Sequence, residues 1–384
     1  MKEIFPDMYS EAAVWTDLGM IMGLEEDVKE HVLHKIRHTA KKYAHTMINV
    51  EPADKDALVP SSEQRSDVAE MAGAPPFLDD SAVEARLPWR PLVDAVERSL
   101  ADYSRRDGSV QQPVRSSFFL PPGSGWFGSM SAFSKSADII ATKLVTSFPE
   151  NVNLPKIQST ILVHSPADGS LLALMSGECI TARRTAAASV AATRHLAARS
   201  SVLAILGSGV QARSHAEAFL EASDGVQEVR LWGRNRAAAG ELVGSLSQQY
   251  PAVRFVHSES TQLCVAGADV INTTTASPEP ILFDSWLPDK GVHINAVGGK
   301  VPHKTELEPA LLQRAAVYTD SREGAASEVG PVRVPVRAEV GELVSGAATA
   351  DKEKITVFLS FGMAVEDAVA ARLVWSGYQS SGDH

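Results

Sequence analysis

Gly207, Gly209 and Ala212 form a Gly-x-Gly-x-x-Ala run, and its flanks decide what chemistry it serves. Ahead of it lies Val202-Leu203-Ala204-Ile205-Leu206, apolar throughout; behind it an Ala-rich helical pattern runs to Ala222. A buried strand that enters a glycine turn and then a helix is an arrangement suited to a pyrophosphate. The first glycine allows the tight turn, the second lets backbone approach the phosphates, and the small third residue lets the helix pack on the strand. Free N–H groups and the positive end of the helix dipole then face the anion. A dinucleotide site is expected here.

The end of the next strand bears on which dinucleotide. Glu228–Trp232 is followed by Gly233-Arg234-Asn235-Arg236, where a site for NAD would place an Asp or Glu for the ribose 2′-OH. No carboxylate is present to repel a 2′-phosphate, and Arg234 is available to hold one, so NADP(H) is expected. The competing reading is two arginines on a solvated helix start. Two further strand ends, Asn272-Thr273-Thr274-Thr275-Ala276 and Ile294-Asn295-Ala296-Val297-Gly298-Gly299-Lys300, belong beside the nicotinamide by the same reasoning. Threonines bonding their own backbone are the alternative for the first of them.

Three cations stand outside this pattern. Arg115 follows Pro113-Val114 in an extended segment, Lys143 interrupts the apolar run Ala141–Val145, and Arg184 lies early in the Ala-rich helix Thr181–Ala198. A lysine in an apolar strand needs a partner. A small carboxylate substrate would satisfy all three, Arg bidentately and Lys as a point charge. Internal ion pairs to Glu178, Glu366 or Asp367 would satisfy them equally well. Of the eleven histidines only His34 and His38 stand at HxxxH spacing and none at HxH, and no metal site is expected; His164, His195, His215 and His293 are expected to cap, pack or face solvent. No GxSxG elbow or Cys/His nucleophile pair is present.

The elements that position these residues read as follows. A helical pattern over Glu25–Met47 and a polar linker over Glu51–Ala74 make residues 1–74 an extension expected to pack little. Leu92–Tyr103 reads as an amphipathic helix. Short strands follow at Val114–Leu120, Gly125–Ser129, Ala141–Phe148, Ser159–Ser165 and Leu171–Ser176, with Asp168-Gly169 as a hairpin turn. From Val202 the order becomes strand, helix, strand, which implies a parallel sheet covered on both faces. A last helix, Phe361–Tyr378, returns to the first region.

Length and composition bound the rest. The 384 residues suffice for two domains, and 44% apolar with 22% charged residues is ordinary globular usage. A net charge of −11 argues against nucleic acid as a partner. The two cysteines, Cys179 and Cys264, are far apart and expected to be buried free thiols in a reducing compartment. No apolar run approaches the roughly 20 residues of a membrane span, so a cytoplasmic location is expected.

From Asp79 onward, about four-fifths of the chain resembles the ornithine cyclodeaminase/mu-crystallin family, nearest its ketimine-reducing members. The motifs that carry the likeness are Gln112-Pro113-Val114-Arg115, Thr142–Thr146, Ile180–Ala187, Gly207–Ala212, Glu279–Phe283, His293–Gly298 and Gly362–Asp367. The resemblance implies a homodimer of α/β subunits. Each would join a Rossmann doubly wound parallel sheet, residues 199–351, to a discontinuous α+β substrate and dimerisation domain, residues 75–198 with 352–380. It further implies that Arg115 and Lys143 face substrate as the catalytic pair and that Arg184 reaches both cofactor and substrate. Gly207, Gly209, Val210, Gln211, Ala212, Arg234, Asn235, Thr275, Val297 and Ser360 would line NADPH, with NADH a weaker substitute.

The implied reaction is NADPH-dependent reduction of a cyclic ketimine carboxylate, of piperideine, pyrroline or sulfur-containing type, to the cyclic amino acid. Thyroid hormone is a second implied ligand, with Arg115 and Glu328 at the matching positions. The alternatives are a lyase of the ornithine cyclodeaminase type, and an NADPH-regulated hormone-binding or structural protein without turnover. One departure bears on the lyase. Where cyclodeaminases place an acid/base carboxylate after the Asn-Ala-Val-Gly strand, this chain has Lys300.

Overall fold

The computed structural model describes residues 74–121, 124–298, 306–329 and 335–382, without the side chains of 327–329. The expected helix at Glu25–Met47, most of the linker that follows it, and Lys300 lie outside the described residues. Two sheets organise the remainder.

The first sheet has the strand order β1-β7-β6-β5-β4-β2, with β3 paired to β4 off this path. Its strands are β1 (Phe77–Leu78), β2 (Val110–Gln111), β3 (Ser116–Leu120), β4 (Gly125–Ser134), β5 (Ile139–Ser147), β6 (Ile157–His164) and β7 (Leu171–Ser176). All pairings are antiparallel except β1 with β7. Burial alternates strictly along β5, so Ile139, Ala141, Lys143 and Val145 share the inward face. Lys143 lies opposite Met130 on one side and Ile161 on the other. That face is covered by the last helix of the chain, against which packs α2 (Trp89–Ser104), the helix that follows the short α1 (Asp80–Glu84).

Between the sheets runs α3 (Glu178–Leu196). Ala182, Ala186, Ala187, Ala188, Ala191 and Ala192 are all buried, and such small side chains let neighbouring helices and both sheets approach on every side. Alanine is also the best helix former, so the run needs no wide apolar stripe. Thr185 and Thr193 return their hydroxyls to the carbonyls of Thr181 and Ser189, both at 2.7 Å, and thereby satisfy themselves inside the helix.

The second sheet is parallel throughout, in the order β10-β9-β8-β11-β12-β15-β13-β14. It comprises β8 (Val202–Leu206), β9 (Glu228–Trp232), β10 (Arg254–His257), β11 (Val270–Thr273), β12 (His293–Ala296), β13 (Ala316–Thr319), β14 (Val336–Glu339) and β15 (Thr356–Leu359). Its connections carry α4 (Val210–Ala222), α5 (Arg236–Gln249), α6 (Thr261–Val265), α7 (Pro309–Arg314), α8 (Arg322–Val329) and α9 (Val340–Val344). Leu203, Ile205, Val229, Leu231 and Phe358 pack into one core, and Ala204, Leu206, Ile271, Ile294 and Val357 into another. Period-two alternation with both faces apolar is the mark of a doubly wound sheet, as the βαβ order predicts.

Three boundaries differ from those expected. Strand β15 lies between β12 and β13 in the second sheet, although residues 352–380 are expected in the first region. Its four residues Thr356–Leu359 are all buried, which suits an interior parallel strand. The final helix, α10, spans Ala364–Ser381 rather than starting at Phe361. Residues 360–362 form a turn instead, with Gly362 at φ +78°. Arg115 precedes β3 rather than lying within it.

Candidate active site

The glycine turn stands at the carboxyl end of β8. Gly207 has φ +145°, and a Cβ there would collide with Thr274 Oγ1, so no other residue fits. A Cβ on Gly209 would meet no protein atom; the space beside it is a cavity lined also by Ser208, Arg234, Asn235 and Thr274. That is the cradle a phosphate group needs, with the N-terminus of α4 opening onto it. Ala212 is fully buried against the sheet, and Val210 is exposed at the helix start. The described residues thus fit a dinucleotide.

Arg234 lines the same cavity just past the end of β9, with no acidic residue between Trp232 and Arg236. Asn235 also caps α5, its side chain accepting the N–H of Ala238 at 3.2 Å.

A second cavity, beside the first, is lined by Arg184, Gln211, Thr275, Val297, Gly298 and Ser360, among others. It collects the carboxyl ends of β11, β12 and β15, the region expected to face the nicotinamide. A Cβ on Gly298 would collide with the carbonyl of Thr275, so these two loop segments lie in close contact. Sequence reasoning misses the residue that ties them. Glu306 is buried and accepts from Thr273 Oγ1 at 2.7 Å, and from the N–H and Oγ1 of Thr275 at 2.6 Å each. Its only signal is an acidic residue in the Thr-Glu-Leu run beyond the last glycine. Because both oxygens are engaged by donors, Glu306 does not stand in for a free acid/base at this loop.

The three cations are brought together, and two follow the internal-pairing alternative. Lys143 Nζ lies 2.7 Å from Asp367 Oδ2. Arg184 gives Nε to Asp367 Oδ1 at 3.0 Å and Nη1 to Glu366 Oε2 at 2.7 Å. Glu178 takes no part; it accepts from the N–H of Ser159 and the hydroxyl of Ser176. Of the three carboxylates weighed as internal partners, Glu366 and Asp367 serve, from adjacent positions on α10. Arg115 Nη2 donates to the carbonyls of Phe361 at 2.9 Å and Gly362 at 3.2 Å. Asp320, at the end of β13, holds the same turn from the other side, accepting the N–H groups of Phe361 and Gly362 at 2.7 Å each. A Cβ on Gly362 would fall 2.5 Å from Arg184 Nη1.

Burial sets the proton affinities of this cluster. It lowers Lys143 to about 8, with Asp367 resisting and the charges of Arg184 and Arg115 assisting. It raises Glu366 to about 7 against the pull of Arg184, and Asp320 and Asp367 add to the rise. Arg184 loses by burial but gains more from Asp367 and Glu366, so it is held firmly protonated.

A third cavity, lined by Arg115, Met130, Tyr103, Asp320 and Met363 among others, shares Phe361 and Gly362 with the second. Tyr103 and Ser321 share a hydrogen bond of 2.9 Å in its wall. The side chain of Glu328 lies outside the described residues, so its expected place here is not described.

Two of the described histidines are buried and bonded within the fold. His215 makes a hydrogen bond of 3.0 Å with Ser189 and one of 2.7 Å with the Gln211 carbonyl, joining α3 to α4; His293 bonds Thr356 and Asn295. Burial lowers each to about 4. His195 pairs with Glu97, while His164 is half-buried at the end of β6. Cys264 is buried as expected but Cys179 only partly, and both are free. Among the described residues no group of three or more His, Cys, Asp or Glu could hold a metal ion, and no helix is long and apolar enough to cross a membrane.

Comparison with known proteins supplies the family. The model of the ornithine cyclodeaminase/mu-crystallin family matches residues 75–382. Over 318 residues the chain is 45% identical to the ketimine reductase mu-crystallin of Rattus norvegicus, covering 81% of this chain and 99% of the relative. The structure of Thermococcus litoralis Δ1-pyrroline-2-carboxylate reductase, in complex with NADH and L-proline, superposes with a TM-score of 0.74 at 29% identity, covering 80% of this chain and 98% of that one. An archaeal alanine dehydrogenase dimer with bound NAD gives a TM-score of 0.73 at 28% identity, covering 79% and 96%. With the family model matched over residues 75–382 and a relative 45% identical over four-fifths of its length, this chain belongs to the ornithine cyclodeaminase/mu-crystallin family.

Proposed function

We propose that the protein reduces the C=N bond of small cyclic imino acids, of the ketimine carboxylate class, with a nicotinamide dinucleotide as reductant. The observation that carries this reading is the shared wall of two cavities. The cavity at the carboxyl ends of β11, β12 and β15 and the cavity bordered by Arg115 meet at Phe361 and Gly362. A flat ring in one and a small carboxylate in the other would be neighbours. The relatives agree in chemistry, since a ketimine reductase and a pyrroline-2-carboxylate reductase are both similar over about 80% of this chain.

Gly207, Gly209, Val210, Gln211 and Ala212 would hold the pyrophosphate, and Arg234 with Asn235 the adenosine end. Thr275, Val297 and Ser360 would border the nicotinamide. NADPH is the expected form, because Arg234 stands where an acidic residue would otherwise exclude the 2′-phosphate. When bound, the cofactor supplies the hydride. The chain supplies placement and charge: Arg115, Lys143 and Arg184 would bind and orient the substrate carboxylate, and their field would favour the bound geometry over free imine in water. Lys143, lowered toward neutrality, is also able to give a proton to the amine side of the product. Lys143→Ala, checked for folding by NADPH binding, is expected to reduce kcat/KM for piperideine-2-carboxylate by two orders of magnitude or more, roughly the scale of a lost acid or orienting charge. An unchanged kcat/KM would remove Lys143 from the site.

The lyase reading is disfavoured by Glu306, the buried carboxylate after the last glycines, whose oxygens are both committed to threonines. Thyroid hormone enters only as a competitor for the cavity beside Arg115, and hormone that binds together with imine would exclude that role. For assembly we infer a homodimer built on the first sheet. Phe118 and Phe119 of β3 are 55% and 75% exposed, and Val152, Leu154 and Ile157 add further exposed apolar surface. Light scattering that gives a single-chain mass at micromolar concentration would contradict it.

A further inference from the structure

The charged groups around α10 balance in formal charge before any ligand arrives. Arg115, Lys143 and Arg184 stand against Asp320, Glu366 and Asp367, all buried but Arg115, which is half-buried. Each carboxylate has an assigned partner. Asp367 bridges Lys143 and Arg184, Asp320 holds the turn at Phe361 and Gly362, and Glu366 Oε2 takes Arg184 Nη1 and the N–H of Met363 at 3.3 Å. Asp367 Oδ2 has only its ion pair with Lys143, and one further carboxylate oxygen has neither ion pair nor hydrogen bond. Glu366 Oε1 is buried and has no hydrogen-bond partner. A carboxylate needs donors on both oxygens to keep its charge in such a place, and this one lacks them on one side.

A substrate carboxylate adds one negative charge to a balanced, dry cluster, and that charge must be offset. We propose that binding of the substrate carboxylate takes up one proton from solvent onto Glu366, which restores neutrality and makes this site selective for the proton-loaded state. The proposal rests on the carboxylate-binding role of this cavity. The proton sits on a carboxyl oxygen of Glu366, and no bond of the ligand changes. Glu366 lines neither cavity, whereas its partner Arg184 lines the second, so Glu366 acts as a positioning residue through Arg184.

The surrounding ionisable groups leave Glu366 the best placed to respond. On the elements packed against α10, α3 presents Arg184 and β5 presents Lys143. Strand β4 carries no ionisable side chain, and on β6 His164 is three residues along from the level of Lys143. From α2 the group on this side is Tyr103, engaged with Ser321. The exposed Glu323 also lines the outer cavity and is solvated. Lys143 is the rival, since a lysine titrating near 8 also gains a proton when an anion binds beside it. The variant separates the two: uptake that is lost in Glu366→Gln belongs to Glu366, and uptake that persists belongs to Lys143.

The test is calorimetric titration of the NADPH-saturated protein with pyrrole-2-carboxylate, a planar carboxylate whose ring nitrogen is not basic. It is run at pH 7 in two buffers of different ionisation enthalpy. The expected result is net proton uptake on binding, at most one per site, and wild-type affinity that weakens as pH rises through neutrality. Glu366→Gln should bind with little uptake and keep its affinity up to about pH 8. Wild-type binding whose heat does not depend on buffer overturns the proposal while leaving the function intact, as does uptake that persists in Glu366→Gln. Should that variant not fold, wild-type heats that are the same in both buffers still overturn the proposal. No binding of the probe at any pH, together with no reduction of a cyclic imine, overturns the functional reading and this proposal with it.

Discussion

Lys143 Nζ lies 2.7 Å from Asp367 Oδ2, with both side chains almost sealed from water, and this pair ties an interior strand of the first sheet to the last helix of the chain. A charge on an apolar strand face is costly unless partnered, and the partner comes from a helix more than 200 residues away. The same carboxylate also holds Arg184 of α3, so three elements meet on one side chain. Removing it leaves two buried cations short of charge. Asp367→Ala should cost about 3–5 kcal/mol in urea unfolding, the scale for breaking one side of a buried pair. A loss under about 1 kcal/mol would mean that the pair does not lock α10 to the sheet.

The turn at Gly362 is a second point of tension. Its φ of +78° disfavours any side chain, and a Cβ would press on Arg184 Nη1 at 2.5 Å. Gly362→Ala should therefore displace the guanidinium and the wall that both cavities share. The expected outcome is a rise of about tenfold or more in KM for imine with NADPH binding little changed, alongside about 1–3 kcal/mol of lost stability. Kinetics like those of the wild type would show that the wall tolerates movement.

In the proposed function, cofactor choice is assigned to one arginine. Arg234→Ala should raise KM for NADPH by about 10- to 100-fold, the worth of charge-assisted bonds to a phosphate, and leave KM for NADH within about twofold. Equal losses with both cofactors would assign Arg234 a structural role.

Acid stability follows from the buried histidines. His215 and His293 titrate near 4 in the fold against 6.5 ordinarily, so between those values the unfolded chain binds more protons. Stability contributed by each is complete above about pH 6.5 and falls as pH drops toward 4, by about 1.4 kcal/mol per pH unit. Glu366, raised from 4.5 to about 7, works the other way: the fold gains stability as pH falls from 7 toward 4.5. Two histidines outweigh one carboxyl, so urea midpoints should decline between pH 6.5 and 4.5. His215→Gln should flatten that decline, and a slope as steep as that of the wild type would mean that His215 is not the titrating group.

The local parts of this site are legible in the sequence because local geometry encodes them. The strand, turn and helix at Val202–Ala222 are written in adjacent residues, and Gly207 is required by a contact with Thr274 that the turn itself creates. The absence of an acid beside Arg234 is visible for the same reason. The charge cluster is only half legible. Lys143 and Arg184 announce a need for partners, yet substrate and Asp367 meet that need equally well by residue type; the choice depends on where α10 returns. Strand β15 escapes notice because four buried residues, Thr356–Leu359, give too short a signal beside a long helix. Glu306 escapes it because nothing local distinguishes a buried glutamate from a solvated one.

The most direct test of the proposed reaction follows absorbance at 340 nm with NADPH and piperideine-2-carboxylate, then repeats it with NADH. Oxidation that requires both protein and imine, forms pipecolate in equal amount, and prefers NADPH is the expected result. A folded protein that binds NADPH yet oxidises none of it across piperideine, pyrroline and sulfur-containing imines would contradict the proposed function.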